Sequence, residues 1–188
     1  MIAAYFQSLG LFDEEEITQI VQLFEYRRLN KNDLFVKENQ RCNEVAFIAS
    51  GIFRSYYSTS NAEDVTYCFR FPHSLIAAYS SFITDGPSVE SIQAISPAEL
   101  WVIKKSAFEK LAADSLVWTK YLKLIAEQQY LELEKRIFQL QKETALQRYT
   151  VLLRDQPEFV QQIPLQYLAS YLGITQRHLS RIRSEISF

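Results

Sequence analysis

Near the end of the chain, a short run of residues has the spacing of two helices that cross at a tight turn. Pro164 precedes the first helical stretch, where its fixed φ suits a helix start. Gly173 can adopt the left-handed conformation that ends a helix, and Thr175 is a good N-cap for a second helix. The apolar positions that face inward are Leu168, Ala169, Leu172, Ile174, Leu179 and Ile182. The run therefore predicts a helix-turn-helix, and an ordinary helical hairpin is the alternative.

The outward face of the second predicted helix carries polar groups. Arg177 and Arg181 supply cations, and we expect short hydroxyls beside them without carboxylates. Such groups suit guanine edges and phosphate oxygens in a DNA major groove. The predicted DNA-contacting residues are Thr175, Gln176, Arg177, Ser180, Arg181 and Ser184.

Two segments carry a resemblance to a known family. YLASYLGITQRHLSRIR resembles the helix-turn-helix of the Crp/Fnr transcription regulators, and IASGIFRSYY resembles two strands and the glycine turn of that family's cyclic-nucleotide-binding β-roll. The resemblance implies an α+β fold, with an antiparallel β-roll, flanking helices, a long dimerisation helix and a helix-turn-helix. Many family members add a β-hairpin wing after the recognition helix, whereas this chain stops at Phe188, so we expect an all-helical DNA-binding domain without a terminal wing. The resemblance also implies a sensor domain at 1–113, a dimerisation helix at 114–142 and a DNA-binding domain at 143–188.

Charge is distributed unevenly along the chain, although the formal net charge is only -2. Ten cations and fifteen acids precede Lys120, whereas ten cations and seven acids lie from Lys120 onward. A positive surplus in one part suits contact with phosphate. The asymmetry supports a C-terminal part that binds DNA.

The first hundred residues indicate a helix followed by short strands. Asp13 precedes three glutamates, and acids in a first turn complement the helix dipole, so an amphipathic helix is predicted here. From Tyr26 to about Ile103, short β-rich runs alternate with turn residues. The predicted strands are 45–49, 52–57, 65–70, 75–78, 89–95 and 99–103. Such spacing indicates a sandwich or a roll, and the resemblance selects the β-roll.

A long helix is predicted from about Ser115 to Lys142, because this stretch has no Gly or Pro. One stripe alternates steps of four and three, as a coiled-coil seam does, and predicts a parallel homodimer. The predicted interface residues are Val117, Tyr121, Leu124, Gln128 and Leu131. A second stripe, predicted to lie against the roll, comprises Trp118, Leu122, Ile125, Leu133, Ile137 and Leu140. Intramolecular packing on both sides is the alternative.

The stretch between the long helix and the helix-turn-helix divides into two parts. Residues 144–155 are predicted to form another helix, with Tyr149 and Leu152 facing inward. Residues 156–163 are predicted to form a short link that contains Pro157. The C-terminal part is therefore expected to be compact and helical.

The stretch 75–94 corresponds to the cyclic AMP-binding segment of the family, which we call the cassette, but it lacks the charged residues that bind the ligand. Family members that bind cyclic AMP carry a Gly-Glu pair, a short helix and an Arg, in which the Glu holds the ribose hydroxyl and the Arg meets the phosphate. An ungapped comparison places Ala77 and Ala78 at the Gly-Glu pair and Ser88 at the Arg. A buried phosphodiester without a cation is strongly unfavourable, so we do not expect cyclic AMP to bind. The candidate ligand residues are Ala77, Ala78, Tyr79, Ser80, Ser88 and Val89.

The sequence does not decide whether the roll binds a ligand. Arg54 or Arg70 could replace the missing cation, but each is expected on the surface of an edge strand. Backbone N–H groups at residues 77–80 could hold a small anion. An unidentified small ligand and a roll filled by its own side chains are equal alternatives.

The remaining sequence features exclude several classes of protein. Cys42 and Cys68 are the only cysteines, too few for a four-cysteine metal or iron–sulfur site. The chain has no Gly-rich phosphate loop, HExxH or GxSxG, so we predict no enzyme, no metal and no cofactor. No window approaches eighteen apolar residues and the start lacks a basic flank, so we expect a cytoplasmic protein without membrane association.

Two functions of different class remain. The first is a dimeric transcription regulator that binds double-stranded DNA at an inverted repeat, with RNA polymerase as a further candidate partner. The second is a cyclic-nucleotide-domain-like dimeric module without specific DNA binding. DNA binding that depends on the outward arginines would distinguish them.

Overall fold

The structure, a computed structural model, describes residues 1–186 and contains helices at both ends of a β-rich segment. The helices are α1 (Ile2–Ser8), α2 (Glu14–Gln22), α3 (Tyr79–Thr84), α4 (Lys105–Asp114), α5 (Leu116–Lys142), α6 (Ala145–Asp155), α7 (Pro157–Gln162), α8 (Leu165–Tyr171) and α9 (Gln176–Ile186). The strands are β1 (Glu25–Leu29), β2 (Leu34–Val36), β3 (Glu44–Ser50), β4 (Phe53–Ser58), β5 (Asp64–Arg70), β6 (Leu75–Ile76), β7 (Ser91–Ala94) and β8 (Ala98–Lys104).

The chain divides into two compact units. The roll unit comprises Met1–Tyr57 and Phe69–Ile125, and the helical unit comprises residues 58–68 and 126–186. Helix α5 contributes residues to both units. The division into segments 1–113, 114–142 and 143–188 stays a prediction.

Two four-stranded sheets form the β-structure. Their strand orders are β1-β8-β3-β6 and β2-β7-β4-β5. Strand β8 is antiparallel to both β1 and β3, so that Trp101 lies opposite Tyr26 on one side and Phe47 on the other. The antiparallel sheets and flanking helices confirm the predicted α+β fold with a β-roll. Strands β1 and β2 and helix α1 are not among the predicted elements.

Local sequence signals account for two element boundaries. Asp13 caps α2 through a capping box, because its Oδ1 accepts from the Glu16 N–H at 2.8 Å and the Glu16 carboxylate accepts from the Asp13 N–H at 3.0 Å. Gly51 has φ +93° in the turn between β3 and β4, a conformation that L side chains rarely adopt. The predicted amphipathic helix and glycine turn are both present.

An aromatic cluster connects the N-terminal helices to the start of α5. Phe6 is fully buried, and its ring lies 5.9 Å from that of Tyr121, while the Phe12 ring lies 5.9 Å from that of Trp118. The Tyr121 and Tyr5 hydroxyls are 3.0 Å apart, and burial raises the pKa of the Tyr121 phenol. Ring pairs of this kind add to the free energy of burial. The first third of α5 is therefore part of the core of the roll unit.

This packing corrects the predicted dimer stripe. Tyr121 is 1% exposed, so its side chain is not available to a second subunit in this structure, whereas Val117 is half-buried against the same core. Leu124 and Leu131 are exposed, as is Gln128. A step pattern of four and three shows which residues share a face, but the chain's own aromatic residues can cover that face as well as a partner can.

The second predicted stripe is also divided. Trp118 is buried in the core of the roll unit, and Leu122 and Ile125 pack against it, as predicted. Leu133, Ile137 and Leu140 belong to the helical unit and are exposed.

Four short helices follow α5 in the helical unit. Thr144 caps α6 through a capping box with Gln147, and α6 buries Tyr149 and Leu152 as predicted. The predicted link at 156–163 instead contains α7, which begins at Pro157 and buries Phe159. Proline at the first helical position starts a helix, so Pro157 indicates a helix here rather than a link.

None of the helices within residues 1–186 combines the length and the apolar character that a membrane span needs.

Candidate nucleic-acid interface

Helices α8 and α9 cross through apolar residues on their facing sides. Leu168 and Leu179 are both fully buried, and Ala169 is small enough to allow the two helices to approach closely. Gly173 ends α8 with φ +68°, and its N–H donates to the Ser170 carbonyl at 3.0 Å. Thr175 caps α9, since its Oγ1 accepts from the His178 N–H at 3.2 Å. The helix-turn-helix geometry expected from the sequence is present.

All six residues predicted to contact DNA have exposed side chains. They are Thr175, Gln176, Arg177, Ser180, Arg181 and Ser184. The Ser180 hydroxyl donates to the Gln176 carbonyl and the Ser184 hydroxyl to the Arg181 carbonyl, which leaves their oxygen lone pairs directed to solvent. The structure brings these residues together on α9, and their contact with DNA stays a prediction.

One expectation about this face is wrong. Glu185 lies one turn after Arg181, and its Oε1 is 3.9 Å from the Arg181 Nε. The outward face of α9 therefore includes a carboxylate at its C-terminal end. Arg177 has no ion pair within the described part of the chain, so the N-terminal half of α9 is the more positive half.

The charge-neutral variant Glu185→Gln is expected to bind duplex DNA about two- to fivefold more tightly at low salt. The carboxylate repels phosphates, and its exposed pair with Arg181 contributes little. Fluorescence anisotropy titrations at several salt concentrations measure the effect, which should shrink as salt rises. Glu14→Gln, the same charge change on the roll unit, is the control. Equal affinities for Glu185→Gln and wild type would contradict the prediction.

Two arginines from other helices bind the carbonyl groups at the C-terminal end of α8. The Arg136 guanidinium stacks on the Tyr171 ring at 3.9 Å and donates to the Tyr171 carbonyl, and Arg148 donates to the Leu172 carbonyl at 3.0 Å. They satisfy carbonyls that a helix end leaves without an intrahelical partner. Burial lowers the pKa of Arg136. Sequence reasoning missed both roles, because the contacts join residues 35 and 24 positions apart.

These contacts reduce the number of C-terminal cations that are available to bind DNA. Arg136 and Arg148 are engaged inside the helical unit, and Arg154 pairs with Asp155 at 2.6 Å. Fewer cations can therefore approach DNA phosphates than the charge count of the C-terminal part suggests. The arginines of α9 supply the exposed positive charge of the predicted interface.

A strand hairpin also contacts α8. The Thr66 N–H donates to the Ser170 Oγ at 2.9 Å, and the Ser170 hydroxyl donates to the Asp64 carbonyl at 3.2 Å. Both hairpin residues belong to the same helical unit as α8. No sequence signal predicted this contact.

The cassette residues differ in their exposure to solvent. Ala78 is buried and precedes α3, whereas Tyr79, Ser80 and Val89 are exposed. Ser88 is 1% exposed, and its hydroxyl donates to the Glu90 carbonyl at 2.7 Å. Ala77 is half-buried beside them. No cation occupies a cassette position, and ligand binding at these residues stays a prediction.

Arg54 corrects the expectation of a surface arginine. It is 5% exposed, its Nε donates to the Gln93 Oε1 at 2.9 Å, and its guanidinium lies 3.9 Å from the centre of the Tyr56 ring. The reason is strand order, because β4 lies between β7 and β5 rather than at an edge. Arg70, on the terminal strand β5, is half-buried.

The roll unit also contains a cleft of about 690 Å³. Its lining includes Arg41, Cys42, Asp85 and Lys105, and none of the six cassette residues. The Lys105 ammonium donates to the Asp85 carboxylate at 2.7 Å. Burial raises the pKa of the Cys42 thiol. Cys42 also contacts the backbone of Ala78, so the cleft borders the cassette although none of the six cassette residues lines it.

Comparison with known proteins identifies the class of the roll and then the architecture of the chain. Residues 26–115 match the cyclic nucleotide-binding domain family. The described fold matches solved structures that include a regulator of the Crp/Fnr family, which confirms the α+β fold with a β-roll expected from the sequence. No curated protein matches the chain significantly in sequence.

Three solved structures illustrate the likeness. FixK2 from Bradyrhizobium japonicum is 20% identical, with a TM-score of 0.75 over 87% of this chain and 84% of FixK2. A protein from Eubacterium rectale, described as a regulator of the Crp/Fnr family, is 16% identical, with a TM-score of 0.75 over 97% of this chain and 87% of its own. The c-di-GMP-responsive global regulator CLP from Xanthomonas campestris is 15% identical, with a TM-score of 0.73 over 93% of this chain and 91% of CLP.

Proposed function

We propose that this protein is a dimeric transcription regulator that binds a specific inverted repeat in double-stranded DNA. The observation that carries the proposal is the exposed arginine and hydroxyl face of α9 on a tightly packed pair of helices. Arginine reads guanine edges and phosphates, and hydroxyls accept or donate at either. Two of the structures named above are described as regulators, which supports a role without catalysis.

The second copy of the chain is proposed to pack along α5. Leu124, Leu131 and Phe138 follow one another at intervals of seven residues and are 50%, 62% and 46% exposed. Apolar residues at this interval favour a helix pair that buries them. Gln128, on the same face, is exposed and could help to set the register of the pair.

The roll is proposed to respond to a small molecule other than cyclic AMP. Small or apolar side chains stand at the positions where the family's charged anchors would be, so a buried phosphodiester would lack the usual cation. CLP, a protein of the same fold, is described as responsive to c-di-GMP, which supports an effector other than cyclic AMP in this architecture. RNA polymerase is proposed as a further partner.

Selection of duplexes from a random pool with the full-length protein tests the function. We expect enrichment of an inverted repeat with half-site centres about 34 Å apart, and a mass of two chains in sedimentation equilibrium. In anisotropy titrations, a duplex with one half-site should bind more weakly than the full repeat. A pool without enrichment would refute the proposal and favour a dimeric module without specific DNA binding.

A further inference from the structure

The tip of one β-hairpin is built into the helical unit. Residues 58–68, which end β4, form the turn and begin β5, cluster with residues 126–186. The side chain of Ser170 in α8 makes two hydrogen bonds to them, accepting from the Thr66 N–H at 2.9 Å and donating to the Asp64 carbonyl at 3.2 Å. One hydroxyl thus joins the first helix of the helix-turn-helix to the backbone of a strand more than a hundred residues earlier.

The environment of the hairpin strand makes this contact important. Thr66 is 1% exposed, so its N–H cannot turn to water if the Ser170 oxygen is removed. A buried donor without its acceptor is more unfavourable than the mean value of a hydrogen bond suggests. Separating α8 from the hairpin would leave the buried Thr66 N–H without its acceptor. The Ser170 hydroxyl therefore stabilises the contact between α8 and the hairpin.

The contact leaves the recognition helix uncovered. All six predicted DNA-contacting residues of α9 are exposed while both Ser170 bonds are made. The hairpin therefore does not compete with DNA for α9. Its effect on binding has to come from restricting the motion of α8 and of the helix packed on it.

We propose that Ser170 is a positioning residue for DNA recognition, which ties the helix-turn-helix to the β4–β5 hairpin and pre-organises it for the duplex. This role rests on the proposed function. Restricting a binding element in its bound conformation lowers the entropy lost on association. Strands β4 and β5 continue into the second sheet, so the hairpin is one covalent route, besides α5, by which the roll could alter DNA affinity.

The variant Ser170→Ala in the full-length protein tests the role. Alanine favours a helix, so α8 should be retained while both bonds are lost. We expect the Thr66 amide hydrogen to exchange about tenfold faster, and affinity for the enriched duplex to fall about three- to tenfold. The salt dependence of binding should not change, because contacts to phosphate are the same.

Two matched variants complete the experiment. Thr150→Ala removes a hydroxyl that, within residues 1–186, bonds only to the Leu146 carbonyl of its own helix, so it should leave duplex affinity unchanged. Ser170→Thr keeps the hydroxyl and should restore both affinity and Thr66 protection. Wild-type affinity or unchanged Thr66 exchange in Ser170→Ala would overturn the positioning role and leave the proposed function intact. Wild-type protein that enriches no duplex would overturn both.

Discussion

Replacing Arg177 and Arg181 together with alanine is expected to weaken binding to the enriched duplex by about thirtyfold or more. An arginine that contacts a base edge contributes roughly 1–3 kcal/mol, so two lost contacts give about 2 kcal/mol at the lower limit. Both side chains are exposed, and the ion pair between Arg181 and Glu185 is long at 3.9 Å. The folded state should therefore be as stable in the variant as in wild type.

The measurement is an anisotropy titration of the full-length variant, with thermal unfolding as a check on folding. Arg154→Ala is the matched control, because Arg154 is also exposed in the helical unit and pairs with Asp155. Its loss should change duplex affinity by less than about threefold. A double variant that binds as tightly as wild type, with its fold intact, would exclude α9 as the recognition helix.

The second large effect is expected at the turn between β3 and β4. Gly51→Ala should destabilise the roll unit by about 3 kcal/mol or more, through backbone strain and steric overlap. A Cβ on Gly51 would lie 2.5 Å from the Ala98 Cβ and 2.7 Å from the Pro97 carbonyl oxygen. Neither neighbour is the end of a flexible side chain, so the sheet would have to shift.

Gly10→Ala separates the two contributions. Gly10 also has a positive φ, +64°, but nothing lies within 4 Å of its missing Cβ. Its substitution should destabilise by only about 1 kcal/mol, through backbone conformation alone. Urea unfolding followed by tryptophan fluorescence measures both variants, since Trp101 and Trp118 both lie in the roll unit. Equal losses in the two variants would show that the Ala98 contact has no effect.

The parts of the fold that sequence reasoning predicted depend on signals between neighbouring residues. Gly173 and Thr175 act within a few positions of the turn they shape, and each adopts the expected role. Asp13 begins α2 by the same kind of local effect. Strands β3, β4 and β8 follow from short β-rich runs bounded by turn residues.

The parts that were missed depend on residues that are distant in sequence. Tyr121 has the spacing of a seam residue, but the N-terminal helices cover it. Arg54 looks like a surface residue until strand order places β4 inside a sheet. Ser170 gives no signal in its own neighbourhood, because its partners are backbone groups of β5.

The arginine contacts behind α8 affect how the molecule can be cut into fragments. A fragment that starts at residue 143 would retain the whole helix-turn-helix but lose Arg136, and with it the guanidinium that stacks on Tyr171. The last turn of α8 would then expose a carbonyl that is capped in the intact chain. An expression fragment intended to isolate the helix pair should therefore begin upstream of Arg136, within α5.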